Sequence, residues 1–109
     1  MKLLFAPLLL ATLLTFDSNP QVAIYSPGDG TTVSGKVQVI FTAYDPDGLS
    51  KFELYVDGEL VQTLLPTSRE QYLSWNSNRV KPGEYELMVR VYDKLGNVGD
   101  STIRVVVEK

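Results

Sequence analysis

Four side chains in this sequence have the chemistry of a hard-cation site. Asp45 and Asp47 lie in Asp45-Pro46-Asp47-Gly48, and Asp93 and Asn97 bracket Asp93-Lys94-Leu95-Gly96-Asn97. Their oxygens are the donors that Ca²⁺ takes. The spacing is not that of an EF-hand, because Gly48 comes too early and no bidentate Glu stands at the twelfth position. A calcium site therefore requires the fold to bring two separate loops together. The alternative is turn chemistry, in which Asp and Asn side chains cap backbone N–H groups of their own loops. Calcium is the only cofactor these residues suggest.

Covalent and acid–base chemistry has little to work with. The chain has neither histidine nor cysteine. That removes the commonest general base and metal ligand, the thiol nucleophile, the thiolate zinc site and any disulfide framework. No nucleophile motif replaces them, so the expectation is a protein that is not an enzyme. The net charge of −3, with both signs interspersed, lacks the basic footprint of a nucleic-acid binder.

A second candidate is a surface. Tyr55, Met88 and Tyr92 occupy outward positions of two long alternating runs. If those runs pair antiparallel, Glu53 falls opposite Arg90 and Tyr55 opposite Met88. Aromatic side chains on a flat sheet face can stack on sugar rings or anchor a protein, so a polysaccharide or a protein at the cell surface is the expected partner. The alternative is an ordinary solvated face whose cross-strand pairs contribute roughly 0.2–1 kcal/mol each.

The elements that must position these residues are strands. In Lys51–Val56, Phe52, Leu54 and Val56 alternate with polar residues, and Asp57-Gly58 follows as a hairpin turn that needs positive φ at both central residues. Period-2 alternation recurs in Gln21–Tyr25, Lys36–Tyr44, Tyr72–Asn76, Gly83–Asp93 and Ser101–Val107, and Glu59–Leu65 runs as a return strand that stops at Pro66. About seven short strands and no helical period after residue 16 predict an all-β fold, an antiparallel β-sandwich. In such a sandwich the loops holding Asp45 and Asp93 share one end. Phe41, Phe52, Leu54, Trp75, Leu87, Val89 and Val105 are the expected core. Phe41→Ala should cost about 3–5 kcal/mol if that ring is buried. Tyr85, two residues after Gly83, sits where a tyrosine-corner hydroxyl bonds nearby backbone.

Residues 1–16 differ from the rest. One Lys precedes a nearly continuous apolar run, Leu3 to Leu14, the layout of a secretory signal peptide. The run is shorter than the ~20 residues of a membrane span, so no stable span remains once it is removed. This divides the chain into a signal segment, 1–16, and a domain, 17–109, located outside the cytoplasm or at the cell surface. The other reading makes residues 3–16 an integral strand or helix. If retained as a strand, the segment could be donated to the edge of another copy, beside the short first strand or the apolar Ile103–Val107, as in a surface filament.

Several of these features occur together and in order. Ser26-Pro27-Gly28-Asp29-Gly30 is followed by Val33-Ser34-Gly35, then Asp45-Pro46-Asp47-Gly48, Glu53-Leu54-Tyr55-Val56-Asp57-Gly58, the aromatic Trp75 strand, Pro82-Gly83-Glu84-Tyr85 and Asp93-Lys94-Leu95-Gly96-Asn97. This succession, over residues 17–109, resembles the bacterial Ig-like domain family. The resemblance implies a seven-stranded Ig- or fibronectin-like sandwich of secreted and surface proteins, used for adhesion, spacing or accessory binding and not itself catalytic.

Overall fold

Alternation of apolar and polar residues lets each short run bury one face, and two sheets result. The computed structural model describes residues 18–67 and 72–108. The expected signal segment lies outside the described residues. Among these residues eight strands follow in chain order: β1 (Gln21–Ser26), β2 (Thr32–Val33), β3 (Lys36–Tyr44), β4 (Leu49–Val56), β5 (Glu59–Leu64), β6 (Leu73–Asn76), β7 (Gly83–Asp93) and β8 (Val98–Val107). One sheet has the order β1-β3-β6 and the other β2-β8-β7-β4-β5. All pairings are antiparallel except that of β2 with β8.

The core lies between the sheets. Val39, Leu54, Leu73, Leu87, Val89 and Val105 are fully buried there, with Trp75 6% exposed. Five of the seven expected core residues are thus buried. Phe41 and Phe52 are only partly buried and pack edge-on against each other, ring centroids 5.0 Å apart. The reason is the stagger of β3. Its first half pairs with β6 on one side and its second half with β1 on the other, so Phe41 lies where the smaller sheet thins toward its end. Truncating Phe41 should therefore cost less than a fully buried ring would. Tyr85 packs tilted against Trp75, ring centroids 5.6 Å apart, and donates its hydroxyl to the Lys81 carbonyl at 2.7 Å, the expected tyrosine corner.

Three details were hidden in the sequence. The Thr32-Val33 pair forms the short strand β2. Gly30 and Val106 donate amides across to Arg104 and Thr31 carbonyls, and Asp29 Oδ1 accepts the Arg104 amide. The free edge expected at Ile103–Val107 is thereby largely occupied. The last strand also starts at Val98, three residues earlier than expected. There, a Cβ on Gly99 would strike the Pro20 carbonyl, so the entering chain can pass only over glycine.

Candidate functional site

The two loops that carry the acidic residues do meet. Asp45 closes its own turn: its carbonyl accepts from Gly48 N at 3.1 Å and its Oδ1 from Asp47 N at 2.8 Å. Asp93 ends β7 and organises the next loop. Its Oδ1 accepts the amides of Leu95 and Asn97, both at 2.8 Å, and its Oδ2 accepts Asn97 Nδ2 at 2.9 Å. Two bonds join the loops. Lys94 N donates to the Gly48 carbonyl at 3.0 Å, and Ser50 Oγ to the Asp93 carbonyl at 3.1 Å. Ser50 can do this because the β4–β7 register slips between Leu49 and Lys51, a bulge that turns the strand start toward the cluster.

One oxygen from each of Asp45, Asp47 and Asp93 lies within 4.8 Å of the others. Asp45 and Asp93 are buried, at 7% and 2% exposure, and Asp47 is exposed. The two buried acids differ electrostatically. Burial, with the neighbouring Asp93 charge adding to it, pushes the Asp45 carboxyl above the usual range, against the pull of the Asp47 amide. Burial acts on Asp93 in the same direction. There the Asn97 side chain and the Asn97 and Leu95 amides outweigh it and hold the carboxyl below the usual range. Turn chemistry thus accounts for Asp93, for Asn97 and for Asp45 Oδ1. It leaves out Asp45 Oδ2, which is buried with no hydrogen-bond partner. Asn97, expected as a fourth ligand, donates its side-chain Nδ2 to Asp93.

The outward face of the larger sheet carries the second cluster. Register places Glu53 opposite Arg90 and Tyr55 opposite Met88, as the alternation implied, and Lys51 opposite Tyr92. Tyr55, Met88 and Tyr92 are all half-buried on this face. A charged neighbour lies against each tyrosine ring. The Lys51 ammonium sits 4.5 Å from the Tyr92 ring centroid and the Arg90 guanidinium 5.7 Å from that of Tyr55. Tyr55 donates its hydroxyl to Glu53 at 2.8 Å, Lys51 pairs with Glu53 at 3.5 Å, and Arg90 pairs with Asp100 at 3.3 Å. Glu53 is consequently only 6% exposed although it points away from the core. Burial alone would raise its carboxyl; the Tyr55 and Tyr92 hydroxyls and Lys51 turn the balance and hold it low. The same hydrogen bond, with burial second, pushes the Tyr55 phenol up to about 12. Sequence reasoning singled out the aromatics but not Lys51 or Glu53 as their supports. The signal was available, because same-face residues two apart in a strand are neighbours.

The family model described as bacterial Ig domain matches residues 20–89, and the chain belongs to that family. No curated protein gives a significant match in sequence. Among solved structures, an endo-β-1,4-mannanase from Thermotoga petrophila superposes with a TM-score of 0.68 at 15% identity, over 84% of this chain and 20% of that one. This chain therefore spans about a fifth of that enzyme. The fibronectin(III)-like modules of Clostridium thermocellum CbhA give a TM-score of 0.65 at 22% identity, over 81% of this chain and 97% of that one. A Bacteroides ovatus protein, SGBP-B of a mixed-linkage glucan utilisation locus, solved with a mixed-linkage heptasaccharide, gives 0.57 at 17% identity, over 84% and 24%. At these identities the likeness is one of fold.

Proposed function

We propose that this Ig module is a non-catalytic extracellular part of a secreted or cell-surface protein, and that it holds a polysaccharide on the outward face of β4 and β7. The observation that carries the reading is the bracing of that face. Tyr55 and Tyr92 are held by Glu53, Arg90 and Lys51, so a ligand stacking on them need not order loose side chains. Flat, partly covered rings with polar neighbours suit sugar rings, which present both C–H faces and hydroxyls. Support for the setting comes from the similar folds in a mannanase and in a glucan-locus protein bound to an oligosaccharide. No helix among the described residues is long and apolar enough to cross a membrane. Retention on mannan and on mixed-linkage glucan tests the reading. The wild type should be retarded and both Tyr55→Ala and Tyr92→Ala should elute earlier. Equal elution of all three would remove the site from this face and leave a protein partner or a spacing role.

A second reading, a filament subunit joined through β-edges, has one observation in its favour. β5 ends its sheet, and Leu60 and Val61 on it are 47% and 40% exposed. Light scattering separates the two: a monomer fits the accessory module and polymers fit the filament.

A further inference from the structure

The acidic end of the sandwich contains an atom that the fold itself does not satisfy. Asp45 is 7% exposed, and its Oδ2 is buried without a hydrogen-bond partner. A carboxylate oxygen in that position costs stability unless something positive reaches it. No Lys or Arg does so: the ion pairs among the described residues are Lys51–Glu53, Arg90–Asp100 and Arg104–Glu84, all away from this end. Oxygens of Asp47 and Asp93 stand within 4.8 Å of the Asp45 ligand atom and of each other, and Lys94, whose ammonium packs over Gly48, is in none of those ion pairs.

We propose that Asp45, Asp47 and Asp93 bind one Ca²⁺-like divalent cation, with the unpartnered Asp45 oxygen as its buried ligand. The donor set is all oxygen, which suits a hard cation and disfavours zinc or copper, for which imidazole or thiolate is the usual ligand. Asp93 is already fixed by Leu95 and Asn97 and needs no reorganisation to serve. Asp47 is exposed, so the ion keeps an open side for water and can exchange with solvent. Irregular carboxylate geometry of this kind suits calcium, which accepts variable numbers of oxygens, better than magnesium, which demands a near-ideal octahedron. A bound ion would tie the loop entering β4 to the loop between β7 and β8. A proton shared between Asp45 and Asp93 would also occupy the empty oxygen, but it gives Asp47 no part.

The test is a thermal melt and calorimetric titration of the full chain, first stripped with chelator, then given calcium or magnesium alone. At calcium about a hundredfold above Kd the melting temperature should rise by roughly 10 °C, with one ion bound and a smaller rise in magnesium. Asp45→Asn should abolish the rise. Asp47→Asn, an exposed change that leaves both loops' bonds intact, should weaken binding about tenfold or more. Tyr92→Ala should leave calcium binding unchanged, which separates this site from the outward face. The proposal is overturned if the wild type melts at the same temperature in chelator and in millimolar calcium. It is equally overturned if Asp47→Asn binds calcium as the wild type does.

Discussion

The acidic end and the outward face of β4 and β7 both hold carboxylates that the sheet has removed from water, and they treat them differently. On the face, Glu53 is ringed by groups that favour its charge: the Tyr55 hydroxyl at 2.8 Å and the Lys51 ammonium at 3.5 Å. At the end, Asp45 meets one backbone amide and two further carboxylates. The Glu53 carboxylate is thus paired within the chain, although Arg90 Nε on the same face is buried without a hydrogen-bond partner, whereas one oxygen of the Asp45 carboxylate has no partner at all. A closed cluster makes a rigid platform, and an open one has a use only when something enters it. Burial by itself does not distinguish them, since the two carboxylates are 6% and 7% exposed.

The comparison predicts unequal sensitivity to mutation. Asp93→Ala should be the most damaging change in either region. It removes the acceptor of two loop amides and of the Asn97 side chain, leaving donors that the loop must turn outward to satisfy. A fall in melting temperature of roughly 10 °C or more is expected in chelator, where no ion contributes. A fall no larger than that of Asp47→Asn would mean that Asp93 is not the organiser of this end.

Next in size is the turn that sets the register of the face. Asp57 and Gly58 have φ of 49° and 83°, as the Asp-Gly pair predicts. Asp57 also bonds across to β7: its amide donates to the Glu86 carbonyl at 2.9 Å and its Oδ1 accepts from Glu86 N at 2.8 Å. Gly58→Val places a β-branched residue at positive φ and should cost about 1–2 kcal/mol in chemical denaturation. Nothing lies within 4 Å of a Cβ there, so the cost is backbone strain rather than collision. An unchanged midpoint would show that the turn does not constrain β4 against β7.

Most of this architecture was legible in residue order, for a physical reason. Alternation and the Asp-Gly turn are local signals, and they placed Leu54, Leu87 and Val89 in the core and Tyr55 opposite Met88. What escaped depends on contacts between distant segments. Gly99 looks like any strand glycine until Pro20 is laid against it. Thr32-Val33 is too short to show a period and becomes a strand only because β8 offers an edge. Phe41 has the residue type and phase of a core position, but the stagger of β3 leaves it half-covered. At the acidic end, loop chemistry correctly suggested that Asp45, Asp47 and Asp93 meet. It could not show that Asn97 belongs to Asp93, or that one oxygen of Asp45 stays unpartnered.

Acid and alkali separate the carboxylate of the face from its phenol, and these effects are the smallest. Glu53 has its carboxyl held below the ordinary 4.5, so its contribution to stability is complete above that pH and is lost as the pH falls beneath it. Glu53→Gln should flatten that part of the acid limb of a denaturation profile. Tyr55 has the opposite sign. Its phenol is raised to about 12, chiefly by the bond to Glu53, so the folded state holds the proton more tightly than the unfolded chain does. Stability from this bond is therefore full below about pH 10 and declines as pH rises toward the folded value. At neutral pH, Tyr55→Phe should cost about 1 kcal/mol by denaturant titration, the ordinary net value of one hydrogen bond. A spectrophotometric alkaline titration of Glu53→Gln should show one phenol moving down toward 10. If no phenol moves, Tyr55 is not held by Glu53, and the face is not the closed cluster that distinguishes it from the acidic end.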